Sequence, residues 1–223
     1  MNTSIVIFPG SNCDQDVASS LLAITKKKPK LIWYKDVIPK NTDLIILPGG
    51  FSFGDYLRSG AIASASKIIT QVINLAKKGV PIIGICNGFQ ILTEANLLPG
   101  TLIINTNLKF VCKEVFLEVT NKTSIFSKGI NQNIIKLPIA HKMGNYTTSK
   151  HQLEALIDNN QIAFKYCSKT GNTEHKFNPN GSISNIAGIL SSNHKILGMM
   201  PHPERFLDIY ERDYIMSKML KFI

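Results

Sequence analysis

The sequence contains few cysteines and no long apolar segment. Its 223 residues include Cys13, Cys86, Cys112 and Cys167, and no two of them form a C-x-x-C pair. This spacing gives no sign of a disulfide framework or a structural zinc site and predicts a reduced, cytoplasmic protein. No apolar run approaches the roughly 20 residues that a membrane-spanning helix needs. No apolar leader segment follows Met1 either, so we expect no membrane insertion.

Acidic residues are also scarce, with 15 Asp and Glu against 25 Lys and Arg, for a net charge of +10. The densest basic cluster, Lys26 to Lys28, is most simply the end of a first helix that starts near Asp14, where positive charge complements the helix dipole. A basic stripe with interleaved aromatic residues is absent, so we expect no nucleic-acid partner. The charge fits an acidic partner subunit or anionic metabolites.

Strands alternate with helices through the first half of the chain, and this predicts parallel βαβ units in an open sheet. The predicted strands are 5–8, 31–34, 44–47 and 82–85, and the predicted helices are 17–24 and 61–77. Between 108 and 138 the apolar residues alternate, which indicates a small antiparallel hairpin region. A capping-box pattern at Ser149 predicts a short helix to about 157. Further strands are expected at 162–166, 186–190 and 196–199.

The fold class predicted from this pattern is α/β, with an open, mostly parallel, doubly wound sheet and helices on both faces. With 44% hydrophobic residues, the chain is long enough to bury the core of one such domain, which we place at residues 1–223. No internal repeat or low-complexity tract is present.

Cys86 ends a β-branched apolar segment, and glycines stand two residues to each side of it, at 84 and 88. Small residues at these positions are typical of a nucleophile elbow, the sharp strand-to-helix turn that presents a catalytic side chain. A helix beginning at Asn87 directs unpaired N–H groups at Cys86 and favours its thiolate. The alternative is a small buried residue at the end of a core strand, but the paired glycines favour the nucleophile.

His202 and Glu204 supply the base that a nucleophilic cysteine requires and a group to orient that base. Pro201 and Pro203 restrict the backbone on either side of His202, so the two side chains are expected to project the same way. The alternative is a proline-rich turn with a surface ion pair. Together with the elbow, the catalytic interpretation is favoured.

A glycine pair, Gly49 and Gly50, follows the strand 44–47 and precedes Phe51. Backbone N–H groups at such a loop can approach a ligand closely, so we expect an oxyanion donor here. A phosphate-binding loop is the competing interpretation, but no Gly-Lys-Ser/Thr follows and the G-x-G-x-x-G spacing is missing.

Two further groups near these motifs have simpler explanations. His141 ends an apolar strand and is interpreted as a structural, hydrogen-bonded histidine, with a second base or a substrate contact as the alternative. Asp55 and Arg58 are expected to form a local salt bridge in the glycine loop, or to contact a partner.

Together, the elbow at 84–90, the loop at 48–50 and the segment 201–204 resemble the class I (triad) glutamine amidotransferases. The resemblance implies a Cys-His-Glu triad in which Cys86 attacks the side-chain amide of glutamine, His202 moves the proton to the leaving ammonia and Glu204 orients His202. It also implies an oxyanion hole and glutamine pocket, for which our candidates are Gly49, Gly50, Phe51, Asn87 and Gln90.

Within that class the chain resembles the glutaminase subunits of phosphoribosylformylglycinamidine synthases along essentially its whole length. The motifs that carry this resemblance lie at 8–14, 48–60, 139–141, 178–182 and 198–205. It implies that ammonia passes to a large synthetase subunit, which uses ATP and Mg²⁺ on formylglycinamide ribonucleotide, and it does not decide whether a small third subunit takes part. No cofactor or metal is expected in this chain.

The sequence departs from that family pattern at two places. Lys142-Met143 stands where the family has Gly-Glu, which puts in doubt any role of that glutamate in partner docking or in closing the glutamine pocket. The segment from Ser168 to Phe177 is longer than usual and is predicted to be an exposed polar loop.

Three other functions are compatible with parts of the pattern. A γ-glutamyl peptidase uses the same elbow and base without a synthetase. An amidotransferase that serves a different acceptor keeps Cys86, His202 and Glu204 but changes the partner. A non-catalytic binding module on the same fold is disfavoured by the intact triad.

Overall fold

A computed structural model of the chain describes residues 1–205 and 215–223 and confirms the α/β fold class. The strands are β1 (Thr3–Ile7), β2 (Lys30–Trp33), β3 (Leu44–Leu47), β4 (Ile82–Ile85), β5 (Thr101–Ile103), β6 (Val111–Val119), β7 (Ile134–His141), β8 (Asn145–Thr147), β9 (Ile162–Cys167), β10 (Ile186–Leu190) and β11 (Ile196–Met199). The helices are α1 (Asp14–Thr25), α2 (Ala61–Ser64), α3 (Lys67–Lys77), α4 (Asn87–Glu94), α5 (Lys150–Asp158) and α6 (Ile215–Leu220). Short 3₁₀ turns occupy Ser52–Asp55, His175–Phe177, Ile183–Asn185 and Pro203–Arg205.

Nine strands form one mixed sheet in the order β2-β1-β3-β4-β11-β10-β9-β6-β7. The five strands from β2 to β11 pair in parallel, as the alternating pattern predicts, and the remaining pairs are antiparallel. The predicted antiparallel hairpin is confirmed as β6 and β7, and it extends the main sheet at one edge. Strands β5 and β8 form a separate two-stranded sheet.

The parallel half of the sheet forms the centre of the core. Every residue of β3 and β4 is buried. Continuous apolar strands of this kind are expected where a parallel sheet is covered on both faces. The glycine loop and Cys86 follow the carboxyl ends of these two buried strands.

The antiparallel half curls back over the carboxyl ends of the parallel strands. Five steps separate β7 from β4 in the sheet order, and a flat sheet with steps of about 4.8 Å would hold them roughly 24 Å apart. Nevertheless, the Pro138 carbonyl in β7 accepts a hydrogen bond from the His202 N–H at 2.9 Å, and the Ala140 carbonyl lies 3.8 Å from Cys86 Sγ. Strand β7 therefore forms a wall of the site.

The helix predicted over 61–77 is divided into α2 and α3. Ser66 has an extended backbone between them, and its hydroxyl donates to the Ala63 carbonyl at 2.6 Å. This local side-chain bond replaces a helical one, which is the usual way in which serine interrupts a helix.

The predictions for helix ends are correct at α5 and at α1. The Ser149 hydroxyl accepts the Gln152 N–H, as an N-cap should. Helix α1 begins at Asp14 and ends at Thr25, and Lys26 is its left-handed C-cap, so the lysine cluster starts where the helix ends. The segment 168–177 is largely exposed and polar, as predicted. No helix in the described part of the chain combines the length and apolar character required to cross a bilayer.

Candidate functional site

Cys86 occupies the sharp turn between β4 and α4. Its backbone angles are φ 50° and ψ −104°, a conformation that is strained for a residue with a side chain and is typical of functional positions. Its N–H donates to the Met199 carbonyl at 2.8 Å, which ties the turn to the end of β11. The first N–H groups of α4 point towards this turn, so the elbow predicted from the sequence is present.

The two glycines that flank Cys86 are there because the backbone leaves no room for a side chain. A Cβ on Gly88 would lie 2.0 Å from the Leu47 carbonyl oxygen, and a Cβ on Gly84 would lie 2.7 Å from the Gly88 backbone. Both distances are well inside van der Waals contact. The glycines thus let α4 pack closely against the ends of β3 and β4 and hold the turn in place.

His202 reaches Cys86 because β11 lies beside β4 in the sheet, with Met199 paired to Ile85. The chain leaves β11 and places His202 next to the elbow, where Nδ1 lies 2.7 Å from Glu204 Oε1. Both side chains are buried, with 1% and 4% of their surface exposed. The three predicted triad residues are therefore brought together by neighbouring strands.

The charge distribution favours a proton on His202. Burial alone opposes a charge on the imidazole, but the Glu204 carboxylate and the thiols of Cys13 and Cys86 outweigh burial and raise the pKa of His202 well above its usual value. Because Nδ1 is held by Glu204, the other nitrogen, Nε2, faces the sulfurs. Nε2 has no partner within hydrogen-bond geometry among the described residues, so it is available for proton transfer.

A second thiol, Cys13, lies against the same histidine, and the sequence analysis missed it. A Cβ on Gly49 would lie 2.8 Å from His202 Cε1 and 2.9 Å from Cys13 Sγ, so the ring and the thiol both pack against the glycine, and a ring nitrogen of His202 lies within 4.8 Å of the sulfur. The sequence signals for Cys13 were its place in the 8–14 motif of the family resemblance and its position just before a predicted helix. Gly49 thus serves to let these two side chains pack at the site.

In the glycine loop, one backbone N–H group is free to bind a ligand and the next one is already hydrogen-bonded within the protein. The Phe51 N–H donates to the Gly10 carbonyl at 2.9 Å, whereas the N–H groups of Gly50 and Asn87 donate to no acceptor in residues 1–205 and 215–223. These two groups remain the candidates for an oxyanion hole. Phe51 is 43% exposed, and its ring packs against Phe110 with 6.5 Å between centroids.

The side chains of Asn87 and Gln90 organise the walls of the site. Asn87 Oδ1 accepts the Ser52 N–H at 3.1 Å, and its Nδ2 donates to Gln90 Oε1 at 2.8 Å. Gln90 Nε2 in turn donates to the Met143 carbonyl at 2.6 Å. The network joins the glycine loop, α4 and the 141–144 segment, and it places Met143, one of the two departures from the family pattern, in the wall.

Arg58 does not pair with Asp55. Its guanidinium forms a bidentate ion pair with Glu94 in α4, so the predicted local salt bridge is wrong. Asp55 instead accepts from Asn87 Nδ2 at 3.4 Å, and burial raises the pKa of its carboxyl group. The loop is therefore attached to α4 through both residues.

His141 is buried beside the site, as a hydrogen-bonded histidine should be. Asn105 donates its amide N–H groups to the carbonyls of Lys109 and His141. Its Oδ1 accepts the Gly144 N–H. The same oxygen therefore accepts from His141 Nδ1, which lies 3.2 Å away. Burial, with a smaller contribution from His202, lowers the pKa of His141 to about 4. The ring is neutral at pH 7, and its buried Nε2 has no partner among the described residues.

One cluster in the described ranges has the composition of a metal site. Cys13, His202 and Glu204 offer ligand atoms within 4.8 Å of one another. However, the Arg205 guanidinium donates to Cys13 Sγ at 3.1 Å, and Glu204 is committed to His202. A cation next to the thiol repels a second one, so the geometry suits proton transfer better than metal binding.

Comparisons with known proteins give one consistent result. The model of the CobB/CobQ-like glutamine amidotransferase domain matches residues 1–221. Subunit PurQ of phosphoribosylformylglycinamidine synthase from Pelagibacter ubique is 49% identical over 208 residues, which cover 93% of this chain and 91% of the relative. The same subunit from Zymomonas mobilis is 47% identical over 210 residues, with coverage of 93% and 91%.

A solved structure agrees with these relatives. A chain in the PurLQS structure from Thermotoga maritima superposes with a TM-score of 0.85 at 36% identity, covering 100% of this chain and 96% of that one. Sequence and fold are thus shared along the whole length. The chain belongs to the CobB/CobQ-like glutamine amidotransferases and, among them, to the PurQ subunits of phosphoribosylformylglycinamidine synthase.

Proposed function

We propose that this chain hydrolyses glutamine through a thioester on Cys86 and supplies the ammonia as the glutaminase subunit of phosphoribosylformylglycinamidine synthase in purine biosynthesis. The observation that carries the proposal is the alignment of three groups. Cys86 sits in a strained elbow, His202 turns Nε2 towards it, and Glu204 holds Nδ1 at 2.7 Å. This is the arrangement of a nucleophile, a base and an orienting group.

In the first step, His202 accepts the thiol proton and the Cys86 sulfur attacks the amide carbon of the glutamine side chain. The carbonyl oxygen gains negative charge, which the N–H groups of Gly50 and Asn87 stabilise; removal of one such donor typically costs roughly 3 kcal/mol in the transition state. His202 then gives its proton to the departing nitrogen, which leaves as ammonia. Water attacks the thioester, releases glutamate and restores the Cys86 thiol.

The glutamine pocket is proposed to lie between the glycine loop and the 141–144 segment, with Gly49, Gly50, Phe51, Asn87 and Gln90 as its members. Gly49 allows the close packing at His202, and Phe51 stands at the exposed side of the loop. Asn87 and Gln90 already hold each other and Met143. Their contribution is therefore to shape the pocket, with the Gln90 amide available to glutamine only if its bond to Met143 is released.

The ammonia goes to a large synthetase subunit, with a small third subunit completing the assembly, as the PurLQS structure of the relative indicates. We infer that ATP and Mg²⁺ act in the synthetase and that this chain carries no cofactor of its own. We also infer a cytoplasmic place of action, which the unpaired state of all four cysteines supports.

The test measures glutamate release and amidine formation by the complex assembled with its synthetase. Cys86→Ala is expected to abolish synthesis from glutamine and to leave synthesis from ammonia intact, because only the first requires the thioester. His202→Ala is expected to lower glutaminase turnover severely. If Cys86→Ala also loses the ammonia reaction, the proposed division of labour is wrong. If the synthetase is active with ammonia but this chain cannot provide it with ammonia from glutamine, the chain serves another acceptor or is a peptidase.

A further inference from the structure

Cys13 is a buried thiol at the triad that the reaction above does not use. It precedes α1, and 2% of its surface is exposed. Its sulfur, a ring nitrogen of His202 and a carboxylate oxygen of Glu204 lie within 4.8 Å of one another. Gly49 packs against both the sulfur and the His202 ring. Two thiols, one on each of two elements, therefore face the same histidine.

The hydrogen bonds of Cys13 decide how its sulfur acts on the ring. The thiol donates to Asn12 Oδ1 at 3.2 Å and accepts from Arg205 Nη2 at 3.1 Å. Arg205 is held in turn by Asp16 at 3.1 Å. Because the single thiol proton is engaged by Asn12, the sulfur presents only lone pairs to His202, and a thioether-like or thiol sulfur is a weak acceptor.

The Cys13 sulfur, a weak acceptor beside the His202 ring, favours the protonated form of that ring. Nε2 is buried and has no partner within hydrogen-bond geometry in the described residues. When His202 takes the Cys86 proton, its ring becomes a donor on both nitrogens. Glu204 accepts at one side, and the two sulfurs are the acceptors available at the other.

We propose that Cys13 is a positioning residue of the glutaminase reaction, whose sulfur holds the His202 ring facing Cys86 and stabilises that ring while it carries the proton from the thiol to the leaving ammonia. The proposal rests on the function proposed above. Cys13 neither gains nor loses a proton in the cycle: the proton leaves Cys86 Sγ, stays on His202 Nε2 and departs with ammonia.

The groups that face His202 make the effect of a substitution predictable. They are Glu204 from its own segment, Cys86 from the elbow, Cys13 from the start of α1, Arg205 beside Cys13, and the neutral His141 from β7. Among these, Glu204, Cys13 and Cys86 raise the pKa of His202, while burial opposes them. Loss of the Cys13 sulfur therefore lowers this pKa.

Cys13→Ala and Cys13→Ser separate positioning from simple space filling. Cys13→Ala removes the γ atom and its acceptor, whereas Cys13→Ser keeps an acceptor at the γ position; a packing defect alone would not move the pH profile. In the assembled complex, Cys13→Ala is expected to lower kcat on glutamine on the order of tenfold with little change in KM. The alkaline limb of the kcat profile should move down by about half a pH unit or more, and Cys13→Ser should restore most of both.

Cys167→Ala is the matched control, because Cys167 is also a buried free cysteine but makes no contact with the triad within residues 1–205 and 215–223; it should leave kcat and the pH profile unchanged. If Cys13→Ala does not assemble, Asn12→Ala tests the same idea. Loss of the Asn12 side chain frees the Cys13 thiol proton, which the thiol can then donate to His202. This favours the neutral His202 ring, so the alkaline limb of the kcat profile should again move to lower pH.

The proposal is overturned if Cys13→Ala keeps the wild-type kcat and pH profile, or if Cys13→Ser is as impaired as Cys13→Ala. If only Asn12→Ala can be measured, the proposal is overturned when the alkaline limb of its kcat profile stays where it is in the wild type. Cys86→Ala in the same preparation distinguishes this failure from that of the proposed function. An inactive Cys86→Ala with a normal Cys13→Ala removes only the role of Cys13, whereas an active Cys86→Ala removes the glutaminase mechanism itself.

Discussion

At the scale of single residues, the protonation state of each of two buried histidines in the site, His202 and His141, depends on its nearest polar neighbour. His202 is buried, which lowers its pKa, but the Glu204 carboxylate 2.7 Å from Nδ1 is the largest of the groups that raise it. His141 is also buried but faces the neutral amide of Asn105. The pKa of the first is raised and that of the second is lowered. Two histidines of one site therefore have opposite roles, because only one has an acid beside it.

Replacing Glu204 tests the first of these effects. Glu204→Gln keeps the size of the side chain but removes the negative charge that favours protonated His202. We expect kcat on glutamine to fall by about 10²-fold or more, with ammonia-dependent synthesis unchanged. Steady-state assays of the assembled complex with both nitrogen donors measure this. Glu154→Gln, at an exposed carboxylate in α5, is the control, and an equal loss there would contradict the assignment.

His141 gives a prediction about stability and pH. Its pKa is about 4 in the folded chain and close to 6.5 when unfolded, so the unfolded state binds more protons between these values. The stability that the folded chain gains from neutral His141 is fully present above pH 6.5 and is lost as the pH falls towards 4. Between pH 7 and pH 5 it amounts to about 2 kcal/mol.

Urea denaturation of the wild type and of His141→Asn at pH 7 and pH 5 checks this. Because asparagine does not titrate, the difference in unfolding free energy between the two proteins should narrow at pH 5. A difference that stays constant or widens would show that His141 is not buried in its neutral form.

At the scale of elements, the site depends on how closely α4 approaches the ends of β3 and β4. The glycine spacing around Cys86 predicted this approach, but it did not identify what lies opposite each glycine. The Leu47 carbonyl is the neighbour at Gly88, and Leu47 comes directly before the Pro-Gly-Gly loop. The elbow and the loop are therefore coupled by backbone contact, independently of their side chains.

Gly88→Ala tests this coupling. In an open helix the change would add about 1 kcal/mol of stability through helix propensity. Here the Cβ would meet the Leu47 oxygen at 2.0 Å, so we expect a net destabilisation of at least 1–3 kcal/mol, the usual range for overpacking, and loss of glutaminase activity. Thermal and urea unfolding measure the first effect.

Gly79→Ala is the comparison for that experiment, since a Cβ there would meet only the flexible Lys195 side chain. Its left-handed backbone makes the change mildly unfavourable, by about 1 kcal/mol. A Gly88→Ala protein as stable and active as Gly79→Ala would mean that α4 can move away from β3 without harm.

At the scale of the whole molecule, the triad of the isolated chain is closed to solvent. The exposed fractions of Cys86, His202 and Glu204 are 5%, 1% and 4%. Glutamine therefore needs an opening that is not populated in this conformation. The loop carrying Phe51 and the segment carrying Met143 border the site, so their movement upon docking of the synthetase is the simplest way to open it.

Alkylation by iodoacetamide measures this opening. In the isolated chain we expect Cys112, which is exposed, to react faster than the buried Cys86. Addition of the synthetase with formylglycinamide ribonucleotide and ATP should accelerate labelling of Cys86 severalfold. Peptide mass spectrometry over time gives both rates in one sample, with Cys112 as the internal reference. Equal acceleration at both cysteines, or none at Cys86, would contradict gating by the partner.

The sequence by itself determined the fold class and most strand positions, and it predicted the three triad residues that the structure places near one another. These are local properties: strand burial appears as apolar runs, the elbow as glycines around Cys86, and the base and its orienter as His202 and Glu204 between prolines. The single-domain organisation over 1–223 remains a prediction.

Only the tertiary structure decided which distant groups meet. The curl of β7 over the site, the contact of Cys13 with His202, the pairing of Arg58 with Glu94 instead of Asp55, and the bond from Gln90 to Met143 all join residues far apart in the chain. Such contacts depend on strand order and sheet curvature, which no local pattern encodes. Periodicity records which face of an element is buried, whereas the partner on that face is chosen by packing of the whole sheet.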